Sequence, residues 1–163
     1  MKKKLVLING TMGVGKSTLT NAVLKQLPNA VWLDGDWCWM MNPWVFSEEN
    51  KRMVEDNITH LLRNFLKNPG FDTILFTWVM HRPEIFDIVL DPLQDLEFDL
   101  QKISIMCAPD ELKNRMIQDN RPSQTIENSL NRLPQYQTLD TIKLDTTTHT
   151  FDQNVDALRA LIT

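Results

Sequence analysis

Gly10-Thr11-Met12-Gly13-Val14-Gly15-Lys16-Ser17 decides how this chain folds, because it satisfies the pattern GxxxxGK[ST] between an apolar run and an amphipathic one. The run before it, residues 4–9, is short and apolar in succession, as a parallel strand covered on both faces should be. Residues 16–27 follow with helical character and are stopped by Pro28. A strand, a glycine-bearing loop and a helix in this order make a cradle for phosphate. Glycines at 10, 13 and 15 open backbone conformations closed to other residues, so successive N–H groups can converge on phosphate oxygens. The helix adds the positive end of its dipole. Gly10, Thr11, Met12, Gly13, Val14 and Gly15 are therefore expected to wrap the phosphates of ATP. Lys16 should reach the β and γ phosphates, the Ser17 hydroxyl should sit on Mg²⁺, and Thr18 should touch the α phosphate.

Outward from this loop, short apolar runs alternate with longer amphipathic ones, the pattern of an α/β protein with a parallel sheet covered by helices. Strands are expected over residues 30–34, 73–78, 100–107 and 141–144. Helices are expected over 48–67, 83–90, 109–119, 125–136 and 151–162. The longest of them carries Val54, Ile58, Leu62 and Leu66 in one row, with Met53, Asn57, Leu61 and Phe65 beside it. The 163 residues, 42% of them hydrophobic, are the size of a single domain with one core.

Charge narrows the partners. Seventeen Lys and Arg against 21 Asp and Glu leave a net charge of −4, and no long basic run is present to neutralise a polymer of phosphates, so nucleic acid is not expected. Lys2, Lys3 and Lys4 precede an apolar run of residues 5–8 that is too brief for a signal-peptide core or a membrane span. The expectation is a cytoplasmic protein without a membrane partner, as monomer or homodimer. Cys38 and Cys107 have no metal-ligand spacing, and both are expected to be buried thiols.

The second strand ends in Leu33-Asp34-Gly35-Asp36. Two carboxylates two residues apart project the same way from an extended backbone, toward the carboxyl edge of the sheet and the γ phosphate. One can help hold Mg²⁺ while the other accepts a hydroxyl proton. Either aspartate satisfies the base role, although Asp34 pairs naturally with Ser17 on the metal side. No guanine-reading NKxD element is present.

The P-loop together with Asp34-Gly35-Asp36 resembles the shikimate kinase and gluconate kinase branch of the nucleotide-kinase-like P-loop fold. The Leu-Asp-Gly-Asp wording is also similar to adenylylsulfate kinases, where such a pair lies beside Mg²⁺ and the acceptor. Arg115 with Arg121-Pro122 resembles the arginine element leading into the shikimate kinase lid. Arg132-Leu-Pro134-Gln-Tyr136 resembles the later element whose arginine binds the acceptor, and Arg52 with Glu55 is similar to the family's substrate-facing Arg-x-x-Glu. The resemblance implies a three-layer α/β P-loop NTPase fold with a five-stranded parallel sheet in the order 2-3-1-4-5. It also implies one kinase domain over residues 1–163 with a small lid near 119–126. By the same likeness Arg115 would contact ATP, Arg121 would join Lys16, Asp34 and Asp36 in catalysis, and Asp36, Arg52, Trp78 and Arg132 would bind a small-molecule acceptor.

One departure bears on that acceptor. Where shikimate kinases carry glycines after the third strand, this chain has Phe76-Thr77-Trp78-Val79-Met80-His81-Arg82-Pro83, which is more similar to tunicamycin-resistance proteins and related antibiotic phosphotransferases. Trp32, Trp37, Trp39 and Trp44 cluster around the acidic pair, and with Trp78, Met40 and Met41 they can wall an apolar pocket or pack a cap over the sheet. His81 can touch an acceptor from its strand end. The expected activity is transfer of the γ-phosphoryl of ATP to a hydroxyl of a nucleoside, sugar or antibiotic-like compound. The alternative is a nucleotide-binding regulatory ATPase with no small-molecule acceptor.

Overall fold

The structure, a computed structural model, describes residues 2–163. Five strands, β1 (Lys3–Asn9), β2 (Ala30–Asp34), β3 (Thr73–Thr77), β4 (Phe98–Met106) and β5 (Ile142–Asp145), pair in parallel in the order β2-β3-β1-β4-β5. Six helices alternate with them: α1 (Lys16–Leu24), α2 (Glu48–Lys67), α3 (Pro83–Leu90), α4 (Pro109–Gln118), α5 (Ser123–Gln137) and α6 (Phe151–Ile162). The α/β fold class and the strand order are those expected. Leu5, Val6, Leu7 and Ile8 alternate between the two faces of the sheet and are all fully buried, so β1 is covered on both sides. The connections leaving β1 and β3 run to opposite sides of the sheet, which opens a crevice at the carboxyl end of β1.

Two of the helices, α2 and α6, begin at side-chain caps. Ser47 caps α2 by accepting from the Asn50 N–H, Glu48 and Glu49 lie in its first turn, and Lys67 lies in its last. Val54, Ile58, Leu62 and Leu66 are its buried row, while Met53 on the neighbouring row stays exposed. Thr150 and Gln153 close a reciprocal capping box on α6.

Several element ends differ from expectation by one to three residues. The α1 helix ends at Leu24 rather than Leu27, because Gln26 and Leu27 donate to Val23 and Leu24 and tighten the last turn before Pro28. The α5 helix begins at Ser123 and runs through Pro134 to Gln137. Ser129, Leu133 and Tyr136 are buried at helical spacing on either side of that proline, and their packing offsets the lost backbone bond. The expected lid, near 119–126, consists of a four-residue connection followed by the first turn of α5. Asn120 adopts a left-handed conformation (φ 54°), Arg121 N–H donates to Met116 O and Asn120 N–H donates to Ile117 O, a Schellman stop that turns the chain sharply at Arg121.

Among the described residues no helix is long and apolar enough to cross a membrane. Cys107 is buried as expected, whereas Cys38 is only half-buried. Burial pushes both thiols above their ordinary pKa, with Asp34 adding to the effect at Cys38.

Candidate functional site

The loop after β1 is fixed by backbone geometry and by side chains from far along the chain. Gly10, Gly13 and Gly15 all have positive φ, at 151°, 82° and 104°. A Cβ at Gly13 would lie 2.5 Å from Met116 Cγ, and one at Gly10 would lie 2.7 Å from the Ile105 carbonyl oxygen. At Gly15 nothing stands within 4 Å of that position. The loop is thus pressed against β4 and α4 on one side and open at the start of α1, where helix N–H groups face outward.

Two clasps hold this shape, and neither was read from the sequence. Thr11 Oγ1 lies 2.8 Å from both the carbonyl and the hydroxyl of Ser129 on α5, and Ser129 Oγ donates to Met12 O at 2.5 Å. Arg115 donates from Nε to Glu111, from one terminal nitrogen to Val14 O (3.2 Å) and Thr146 Oγ1 (3.0 Å), and from the other to Thr146 O (2.8 Å). Its guanidinium fork ties the loop to the end of β5.

Lys16 donates to Thr11 O at 3.1 Å. Burial pulls its pKa down to about 8 against the opposing pull of Asp36 and Asp34. Ser17 Oγ donates to Asp34 Oδ2 at 2.5 Å, and the other Asp34 oxygen accepts from the Asp36 N–H at 3.0 Å, capping a 3₁₀ turn over Gly35–Trp39. That turn separates the two aspartates. Asp34 is buried under the loop, while Asp36 is exposed at the crevice. Desolvation and the neighbouring Asp34 charge raise the Asp36 pKa above the usual carboxylate value, with Lys16 acting the other way. The extended register expected from sequence would have aimed both carboxylates alike. The turn gives them different surroundings instead.

Three cavities meet here. One of about 310 Å³ lies between Gly13, Gly15, Thr18, Arg115, His149 and Asn154. A second, about 300 Å³, is bounded by Lys16, Ser17, Asp36, Asp119, Arg121 and Arg132. The third, about 640 Å³, is walled by Trp39, Met40, Trp44, Phe46 and Trp78, with Asp36 and Arg132 as its charged groups. Asp36, Met12, Val79 and Arg132 line both the second and the third.

Most residues singled out from the sequence gather at these cavities. Arg121 and Arg132 are exposed, and among the described residues neither forms an ion pair. Arg52 stands exposed on α2 and lines none of the three. The tryptophans divide. Trp39, Trp44 and Trp78 face the large cavity, but Trp32 packs edge-on to Trp37 at 4.8 Å and donates its indole N–H to Thr77 Oγ1. Met41 packs against the core, while Met40 lines the cavity. His81 bonds through Nδ1 to Val79 O, and its pKa is lowered by desolvation and by the nearby Arg132 and Arg82. Phe46 and Val79 were not singled out; an aromatic residue two positions after Trp44, and the place of Val79 directly after Trp78, were the sequence signals available.

Comparison with known proteins agrees with this architecture. Residues 6–135 match the family model described as an AAA domain. No curated protein sequence matches the chain. The fold is similar to that of a tunicamycin resistance protein from Deinococcus radiodurans, with 19% identity over 99% of this chain and 96% of that one and a TM-score of 0.68. An APS kinase from Mycobacterium tuberculosis, solved with AMPPNP and APS, superposes with TM-score 0.69 at 16% identity over 98% and 97% of the two chains. A gluconokinase from Sinorhizobium meliloti gives 0.68 at 15% identity over 96% and 90%.

Proposed function

The chain belongs to the AAA-domain family, and on that premise we propose that it is an ATP-dependent kinase of a small hydroxyl-bearing molecule. The observation that carries this reading is the place of Asp36. One carboxylate lines both the cavity at the phosphate loop and the aromatic cavity beside it. A regulatory ATPase without an acceptor has no use for the aromatic cavity or for a carboxylate between the two.

The chemistry needs positioning and charge neutralisation more than covalent help from the protein. The 310 Å³ cavity would take the nucleoside end of ATP beside Arg115 and Thr18, and the open face at Gly15 the phosphates. Lys16, Arg121 and Arg132 face the second cavity, where they would neutralise the transferring group. Ser17 and Asp34 are a hydroxyl and a carboxylate in contact at the start of α1, and such hard oxygens fit Mg²⁺. Held there, Mg²⁺ would supply charge neutralisation for the transferring phosphate.

Asp36 is then the base. The acceptor oxygen bonds to the γ phosphorus as the bond from that phosphorus to the bridging oxygen breaks. The bonding pair leaves with ADP, and the hydroxyl proton passes to the Asp36 carboxylate. Its raised pKa brings it nearer the operating pH, where a general base works best.

The test is phosphate transfer from ATP across a panel of nucleosides, sugars and antibiotics, with Asp36→Asn and Asp34→Asn beside wild type. Acceptor-dependent ADP release that collapses in Asp36→Asn supports the kinase. Full-rate ATP hydrolysis without acceptor, indifferent to both substitutions, refutes it and leaves the regulatory ATPase.

A further inference from the structure

The aromatic cavity differs from a sugar site in what it can satisfy. Its charged groups are Asp36 and Arg132; Trp39, Trp44 and Trp78 add only indole N–H donors, and the side chains of Met12, Met40, Phe46 and Val79 add no strong hydrogen-bonding group. Among these side chains only the Asp36 carboxylate is a strong acceptor, so a compact polyol covered by the wall would leave hydroxyls without partners, each at the cost of its lost hydration. The faces of a flat ring need no such partner.

The wall is also shaped for a flat ring. Trp39 and Phe46 stack with centroids 5.5 Å apart and planes 24° apart, and Trp44 and Phe46 stack at 6.2 Å and 23°. Phe46 and Trp44 remain 63% and 62% exposed, so faces already aligned with one another are left uncovered. Trp78, which lines the same cavity, is held in place. A Cβ at Gly35 would lie 2.6 Å from the Trp78 ring, so the turn bearing Asp36 is packed directly on that indole. The reacting carboxylate and one wall of the cavity are therefore a single unit.

We propose that this cavity takes an acceptor built on an aromatic or heteroaromatic ring, with the ring against Trp44 and Phe46 and its hydroxyl arm reaching Asp36. The proposal rests on the kinase reading for what happens to the hydroxyl, but ring recognition is measurable without it. Aromatic faces prefer offset-stacked or edge-on partners, and such pairs contribute beyond the area they bury. The 640 Å³ volume is ample for a ring of nucleobase size with an attached sugar or short arm.

Matched probes isolate the ring. Uridine against methyl β-ribofuranoside, and phenyl β-glucoside against methyl β-glucoside, share their hydroxyl arms and differ mainly in the ring. Titration calorimetry with a non-hydrolysable ATP analogue present measures each pair on wild type, Trp44→Ala, Phe46→Ala and Trp44→Phe. Both positions are exposed, so the fold tolerates truncation, and thermal melts check this. The expected result is roughly tenfold or greater preference for the ringed member in wild type. Most of it should be lost in the alanine variants and kept in Trp44→Phe. Equal binding of ringed and ringless probes, no binding of either ringed probe, or indifference to the alanine variants overturns the proposal. If a ringless polyol is phosphorylated efficiently, the ring proposal fails while the kinase stands. If ringed probes bind but no phosphate moves from ATP, the kinase reading fails while ring recognition stands.

Discussion

The two halves of the site are built by opposite means. At the phosphate loop the shape is made by backbone: three residues at positive φ, carbonyls clasped by Ser129 and Arg115, and contacts with Met116 and Ile105 too tight for any Cβ. On the acceptor side the shape is made by side chains, rings stacked on one another with few hydrogen bonds among them. A backbone site recognises what every nucleotide shares, its phosphates, and tolerates little change. A side-chain site can be re-cut without disturbing the fold. The difference separates what this protein shares with many others from what makes it particular.

The sharpest way to break that comparison is to remove the charges at the junction. Lys16→Met and Asp36→Asn should each reduce phosphoryl transfer by about 10²- to 10⁴-fold, measured as ADP release under saturating acceptor, with melting temperature little changed. A loss of folding instead would mean that these groups serve the core. Next comes Gly13→Ala, which meets both positive φ and the Met116 side chain. It should cost about 1–3 kcal/mol, and Tm should fall by roughly 2–4 °C per kcal/mol for a domain of this size. A neutral result would show that the loop is less rigid than its packing implies.

Acidity gives a third lever. The free-protein pKa of Lys16 is about 8, and an anion binds the protonated form, so nucleotide affinity should be full below that value and fall as pH rises through it. Calorimetric titration of ATP should show about a tenfold loss between pH 7 and 9. Lys16→Met should abolish the pH dependence along with most of the affinity. Ser129→Ala removes the hydroxyl's bonds to Met12 O and Thr11 Oγ1 while leaving the bond from Thr11 to the Ser129 carbonyl, and should cost about 1 kcal/mol in chemical denaturation. The smallest effect belongs to Arg52→Ala. It stands clear of the three cavities and should change acceptor KM within about twofold; a larger change would mean that the acceptor extends along α2.

The same contrast explains what the sequence could convey. The loop was legible because its function demands glycines, a lysine and a serine at fixed spacing, and β1, β2 and α2 because their apolar periods are uninterrupted. Asp34 and Asp36 were legible as a pair but not in their division, which depends on a 3₁₀ turn packed against Trp78. Ser129 was illegible: a serine inside a helix carries no local signal of a partner on a loop more than a hundred positions away. The tryptophans looked alike in the sequence, yet Trp32 is committed to Thr77 and Trp37 while Trp39 and Trp44 face the cavity. Which way each ring turns is decided by tertiary neighbours, not by spacing.

The clasp at Ser129 has an energetic consequence. Arg132 lies one turn further along the same helix, lining the cavities beyond Asp36. Any shift of α5 that accompanied phosphate binding at the loop would move Ser129 and Arg132 together, and the resulting coupling between the two cavities would be equal in either direction.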